Sequence, residues 1–428
     1  MNDITTLDVI EGVNFSYIKS TKFKVSQISF TFFYPLKEEL VSGFSLLISV
    51  LSDSCSKFKN FRDLNKYLEQ TYGACIDYDI FKVGNYHAIN LSVAALDDQF
   101  TIEKGQNISK MVDLLCELIF NPLVSNNSFD ENVVSRRKEE IIELINEQMS
   151  DKRKWSVIRC NQEMFKNEPC GISKYGSISD IENLDGKKLF DFYKKSIENS
   201  RIKIVMIANS DYHGSFNKIK SHFEKVNRKV ISDFEPVSKK IPSSINEVSE
   251  KMNVQQCKLV MAFRTPYISS LTNETHIMKL ASAIYGGIPT SKLFMSVREK
   301  YNLCYYCSSG FDSSTGVLYV ESGIEEENAQ KAKDEIINQL NLIKKGNLSD
   351  EELDDAKKFV VQSAQTISDS INRMCNWYTL KYPSKDSETP EEFESKIKKV
   401  SKQDIINCMS NVYLDTVYTI VKGESSNE

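Results

Sequence analysis

Histidine is the commonest metal ligand and general base, and this chain of 428 residues has four: His87, His213, His222 and His276. None belongs to an HExxH or HxxEH motif, and no two stand one helical turn apart. The paired ligands that zinc needs on one helix face are therefore missing. His87 falls in a predicted strand hairpin, and the other three start or line amphipathic segments, so all four read as structural. The sequence contains no GxSxG elbow, no GxxxxGK[ST] phosphate loop and no GxGxxG after a strand, which leaves serine-triad and nucleotide chemistry without support. Ten cysteines are scattered along the chain, mostly inside apolar segments where the thiol acts as a small hydrophobe. Cys304-Tyr-Tyr-Cys307 is the one CxxC. It lies in a predicted strand, where residues three apart point to opposite faces, so the pair is expected not to close a redox or metal site. Residue chemistry alone thus gives no autonomous catalyst.

The elements that would position these side chains form two halves. At 428 residues the chain is too long for one ordinary core. Its 41% hydrophobic and 26% charged residues suit globular domains, and a net charge of −5 argues against binding nucleic acid. No apolar run approaches the ~20 residues of a membrane helix, and the N-terminus lacks the core of a signal peptide. A cytoplasmic protein without membrane attachment is the expectation. In the first half the pattern predicts a strand over 24–34 and helices over 40–51 and 61–72. A hairpin of strands 74–82 and 86–93 follows, then helices 107–120 and 132–165, strand 202–207 and helix 213–226. Arg228–Glu250, rich in serine and proline, reads as a linker. It divides the chain into domains 1–228 and 251–428 around a 229–250 connection. Strand 258–263, helices 277–284 and 290–300, and a hairpin of 303–311 with 317–322 come next. Helices 325–345 and 350–380 follow, the latter opened by the capping box Ser349-Asp-Glu-Glu352. A helix over 402–412 and a strand over 416–421 end the chain, in an order that differs from the first half. The recurrence argues for an internal duplication of two related α+β halves.

The segment Ile284-Tyr-Gly-Gly-Ile-Pro-Thr-Ser-Lys-Leu-Phe-Met-Ser-Val-Arg-Glu-Lys-Tyr-Asn-Leu-Cys-Tyr-Tyr306 resembles the GG…S[SR]LF…VRE+.GL.Y signature of the M16 peptidases. This is the family of pitrilysin, insulinase and mitochondrial processing peptidase. Gly286-Gly287, Leu293-Phe294, Val297-Arg298-Glu299-Lys300, Leu303 and Tyr305 match in order. Asn302 replaces the usual glycine, a change tolerated where the backbone is left-handed. Thr21–Lys24, Tyr67–Ala74 and Asn121-Pro122 are similar to the first M16 half. They resemble in particular a bacterial M16B-type branch without HxxEH, associated with modification of elongation factor P. The resemblance implies two LuxS/MPP-like metallohydrolase halves, each a mixed, mostly antiparallel sheet covered by helices.

It also implies roles for individual residues. Aligned on Gly43, the stretch Gly43–Val50 puts Leu46, Ser49 and Val50 at the two histidine ligands and the general base of the family's zinc motif. Leu and Val supply no ligand atom, and Ser49 is no carboxylate base. Glu140 or Glu143 is the counterpart of the third ligand, with Glu143 preferred. This half is expected to be degenerate and to hold no metal. Arg298 and Tyr305, seven residues apart, match the pair with which the family's C-terminal half grips the substrate backbone and the tetrahedral intermediate. A guanidinium donor on a carbonyl and a phenol on an oxyanion are the chemistry implied. The expectation is a non-catalytic, substrate-binding subunit, inactive alone. It would supply Arg298 and Tyr305 to a heterodimeric partner that carries HxxEH and the zinc, for hydrolysis of a peptide. A scaffold or peptide-binding module is the alternative. An autonomous peptidase homodimer using Glu143 with His87 is the third reading.

Overall fold

The computed structural model describes residues 4–103, 105–229, 233–384 and 388–423. Its strands are β1 (Ile4–Ile10), β2 (Val13–Lys19), β3 (Val25–Pro35), β4 (Cys75–Val83), β5 (Tyr86–Leu96), β6 (Val124–Ser125), β7 (Ser128–Phe129), β8 (Arg201–Ala208), β9 (Asn246–Met252), β10 (Cys257–Arg264), β11 (Cys304–Asp312), β12 (Val317–Ile324) and β13 (Tyr413–Lys422). The α-helices are α1 (Glu38–Leu51), α2 (Phe61–Gln70), α3 (Asn107–Phe120), α4 (Glu131–Ser150), α5 (Lys152–Met164), α6 (Ile178–Glu182), α7 (Gly186–Asn199), α8 (His213–Phe223), α9 (Thr275–Ser282), α10 (Ala329–Lys344), α11 (Asp350–Gln365), α12 (Ile371–Leu380), α13 (Pro390–Lys399) and α14 (Lys402–Ser410).

Two compact units result. The first comprises Met1–Ile145, Ile172–Phe234 and Asp369–Pro383; the second comprises Asn146–Gly171, Glu235–Ser368 and Ser384–Glu428. The first holds a sheet of order β1-β2-β8-β3-β5-β4, and the second a sheet of order β11-β12-β10-β13-β9. Reversed, the second order superposes on the first: β2, β3, β4, β5 and β8 correspond to β9, β10, β11, β12 and β13. Every pairing sense agrees, including the parallel β2–β8 and β9–β13 pairs within otherwise antiparallel sheets. Chain order agrees as well, so the difference in order read from sequence disappears once two strands are added. One is β2, half of a hairpin with β1 that turns at Gly12 (φ +74°). The other is β9, which occupies the end of the predicted linker. Its residues, NEVSEKM, are polar and largely exposed, as an edge strand tolerates, and that composition hid it.

Two predicted long helices are each divided by a capping residue. Asp151 ends the run after α4 and accepts from the amides of Arg153 and Lys154 to start α5. Ser370 caps α12 after the 3₁₀ turn Thr366–Asp369. A side chain that satisfies the first free N–H groups of a new helix favours the break. The breaks have a packing consequence. Helix α5 lies on β10 and β13 of the second unit, and α12 lies on β8 and β3 of the first. These are corresponding strands, so each sheet is covered on one face by a helix taken from the other half of the chain.

Period-two alternation sorts each central strand between two faces. On β3, Ile28, Phe30, Phe32 and Tyr34 enter the first unit's main core, with Phe44, Leu46, Leu47 and Val50 of α1. The opposite face carries Ser29, Thr31, Asn90 and Lys203, an unusually polar set for buried strands. There the Ser29 hydroxyl and the Cys375 thiol of α12 lie 3.0 Å apart. The Lys203 ammonium is buried, donates to the Ser16 hydroxyl at 2.6 Å and to the Asn14 side chain, and burial lowers its pKa to about 8.

Candidate functional site

Helix α1 forms because a buried apolar run, Leu40–Leu51, follows two glutamates that suit a helix N-terminus. Leu46 and Val50 are buried in the core, and Ser49, wholly buried, donates its hydroxyl to the Leu46 carbonyl at 2.8 Å. A serine that bonds back into its own helix offers nothing to a ligand. Glu143 is exposed on α4. Glu140, one turn earlier, is the engaged carboxylate: it accepts from Tyr78 of β4 at 2.6 Å and from Arg137 at 2.5 Å.

Arg137 joins this pair to α1. Its guanidinium also reaches Asp53, just past the end of α1, at 3.0 Å, and Arg136 binds the same carboxylate oxygen. The Asp53 side chain is 3% exposed. Burial works against the charge on Arg137, but the carboxylates of Glu140 and Asp53 outweigh it and hold the guanidinium above its ordinary range. Burial, reinforced by the bond to Glu140, pushes the Tyr78 phenol well above its usual value. Zinc does not fit here. Two of the family's ligand positions carry Leu46 and Val50, and the nearby carboxylates of the network are already neutralised by a protein cation. Among the described residues, no group of three or more His, Cys, Asp or Glu could hold a metal ion.

His87 does not assemble with Glu143. It is buried on β5, donates from Nε2 to the Lys174 carbonyl at 2.8 Å, and burial lowers its pKa to about 4. The ring is therefore neutral and held by a backbone acceptor.

The signature segment builds a joint that presents two side chains. Tyr285 is wholly buried and donates to the Ile336 carbonyl at 2.7 Å. Gly286 packs so closely on β11 that a Cβ would lie 2.7 Å from the Ser309 nitrogen, a distance only glycine avoids. Leu293 and Val297 are also fully buried. The predicted helix 290–300 is wound as a π-helix over Phe294–Lys300, with the Tyr301 amide bonding to the Ser296 carbonyl. Such bulges insert an extra residue per turn and shift which side chains face out. Asn302 closes it in the left-handed region (φ +49°), while the Leu303 amide reaches the Val297 carbonyl at 2.9 Å. The reading of Asn302 as a left-handed cap thus has its structural counterpart.

Arg298 emerges from this turn 44% exposed, its guanidinium 4.8 Å from the Phe294 ring centre and its Nε 3.6 Å from Glu299. Tyr305 is 62% exposed because it is the extra residue of a β-bulge. Cys304 pairs with Ile324 and Tyr306 with Gly323, leaving Tyr305 no partner on β12. Bulges re-aim a side chain in this way. The Tyr305 phenol donates to Glu325 at 3.0 Å, and that carboxylate raises its pKa.

A profile of the Peptidase M16 inactive domain matches residues 183–360, which include the whole signature segment and both of these residues. A Bacillus subtilis (strain 168) protein named "Probable inactive metalloprotease YmfF" is 26% identical over 412 residues, 96% of each chain. The chain is thus similar to inactive M16 peptidases, over residues 183–360 by the domain profile and along nearly its whole length by the Bacillus relative. Two solved structures share the M16 fold along its length. A conserved protein from Enterococcus faecalis V583 superposes with a TM-score of 0.88 at 23% identity, covering 99% of this chain and 100% of the other. The peptidase M16 inactive domain from Pseudomonas fluorescens gives 0.79 at 14% identity, covering 100% of both. No helix among the described residues is long and apolar enough to cross a membrane.

Sequence reasoning missed two features of this chain. The first is the Asp53–Arg137–Glu140–Tyr78 network. Its signal was the RRKEE run, whose acids and bases read as a solvated helix face. The second corrects the reading of Cys304 and Cys307. The bulge at Tyr305 removes one step of alternation, so the two thiols lie on the same face of β11, opposite Ile324 and Ser322.

Proposed function

We propose that this M16 homologue is the non-catalytic, substrate-binding subunit of a heterodimeric zinc peptidase, lending Arg298 and Tyr305 to a partner that carries HxxEH. One observation carries the reading: the zinc positions are filled by buried Leu46, Ser49 and Val50, whereas Arg298 and Tyr305 remain exposed on a joint built to present them. Residues kept only for packing would not need a π-turn and a bulge that turn a cation and a phenol outward. The guanidinium would hold a peptide carbonyl, and the phenol would donate to the oxyanion developing at the scissile carbon, while the partner's metal would supply Lewis-acid chemistry. For that, Tyr305 exchanges its bond to Glu325 for one to substrate. Hydrogen bonds at such exposure are worth only about 1 kcal/mol net, so the exchange is not prohibitive. The partner supplies the metal, and the substrate is a peptide in extended form.

The test is co-purification with an M16 chain bearing an intact HxxEH, followed by metal analysis and a peptide-cleavage assay. Arg298→Ala and Tyr305→Phe should each lower turnover by roughly 10²-fold, the scale for losing one oxyanion donor. Full turnover in both variants would refute the role and favour a scaffold.

A further inference from the structure

We infer that Cys304 and Cys307, which flank the bulge at Tyr305, are a redox-responsive dithiol closed to a disulfide by a peroxide. The inference stands apart from the paired-subunit reading, because it concerns the chemistry of this chain alone.

The register carries it. Cys304 lies opposite Ile324 and Cys307 opposite Ser322, so the bulged strand matches three residues of β12 with four of its own. Two strand rises of ~3.3 Å put the paired positions about 6.6 Å apart. That is near the upper end of the Cα separation a disulfide spans, about 6.8 Å. In a regular strand the same two residues would point to opposite faces. The Ser322 hydroxyl, on the β12 residue that faces Cys307, donates to the Tyr306 carbonyl at 2.8 Å.

The pair is polarised. The neighbouring Cys307 thiol lowers the pKa of Cys304, with Arg298 adding to it, whereas Cys304 and burial push Cys307 up. Cys55, Cys116, Cys160, Cys375 and Cys408 are all shifted upward by burial, as inert core thiols are. Cys304 opens an edge strand and keeps 6% exposure, against 3% for Cys307. That opening suits a small oxidant better than a protein thiol.

The chemistry balances. The Cys304 thiolate attacks one peroxide oxygen, the O–O bond breaks, and the other oxygen leaves as water after taking a proton. Cys307 then attacks the sulfenic sulfur, the S–O bond breaks, and a second water leaves. Two electrons pass from the dithiol to the peroxide, and both thiol protons end in water.

The experiment treats the purified full chain with hydrogen peroxide, denatures it in iodoacetamide and maps the peptides by mass. The 304–307 peptide should escape alkylation and be two hydrogens lighter until dithiothreitol restores it. Cys307→Ser should stall at a sulfenic acid on Cys304 that dimedone traps, and Cys304→Ser should give no linkage. Alkylation of both thiols after peroxide, or oxidation confined to the exposed Cys75, would overturn the inference. The wild-type measurement decides the matter even where a serine variant fails to fold.

Discussion

Replacing Arg137 by methionine removes the cation that sits between two carboxylates beside the end of α1, and it should destabilise the protein severely. Arg137 bonds Asp53 at 3.0 Å and Glu140 at 2.5 Å. Unit charges with centres ~4 Å apart attract by about 4 kcal/mol at an effective dielectric of 20. Desolvating the guanidinium offsets part of the two-carboxylate sum. The dominant effect of the substitution is what it leaves behind: among the described residues Asp53, 3% exposed, then pairs with Arg136 alone, itself 57% exposed. Breaking a buried pair in this way costs roughly 3–5 kcal/mol. Urea unfolding read by tryptophan fluorescence and far-UV circular dichroism measures it. The double variant Asp53→Asn, Arg137→Met should recover a large part of the loss, because neutralising both partners removes the stranded charge. A single-variant loss below about 1 kcal/mol, the scale of a surface ion pair, would refute the view that Arg137 holds a buried charge in place.

Other outcomes follow from groups described above. Lys203 has its pKa lowered from 10.5 to about 8 by burial. Between those values the unfolded chain binds the extra proton, so stability rises with pH across that window and the full penalty applies below it. At about 1.4 kcal/mol per pKa unit, the wild type should gain roughly 3 kcal/mol from pH 8 to 10.5 relative to Lys203→Met. Parallel stability curves for the two proteins would contradict the assignment. Glu325→Gln removes the carboxylate that raises the Tyr305 pKa, so the phenol should titrate nearer its ordinary value in a ¹³C-tyrosine NMR titration; an unmoved titration would mean that the contact is absent in solution. Gly286→Ala, which forces a Cβ against the Ser309 backbone, should destabilise the second unit by about 1–3 kcal/mol, the range for overpacking, and a neutral result would show that β11 can give way.

Much of this architecture was legible because amphipathic periodicity and capping residues are local signals. Helices α1, α2 and α3 fall where their apolar stripes put them, and α11 starts where its capping box does. The capping box at Ser349 has both of its reciprocal bonds. What stayed hidden depended on partners distant in sequence. Strand β9 is polar and pairs only with β13, some 170 residues later. Nothing local distinguished it from a linker. Helix α12 looked like a continuation of α11, yet it packs on strands of the first unit, and no periodicity encodes that choice. At the site, residue identity was enough to mark Leu46, Ser49 and Val50 as non-ligands. Registry was not: a one-residue bulge at Tyr305 decides that the phenol points outward and that two thiols share a face. A single inserted residue inverts every side chain beyond it, which is why the CxxC was misread.

The central claim is that this chain contributes Arg298 and Tyr305 to chemistry at another subunit's metal. Its most direct test is peptide turnover by an HxxEH-bearing M16 partner alone, with the wild-type chain, and with a chain carrying Arg298→Ala and Tyr305→Phe together. Activity that needs the wild-type chain, and is lost with the doubly substituted one although the complex still forms, is the predicted result. Equal turnover with either chain, or a partner fully active by itself, would contradict it.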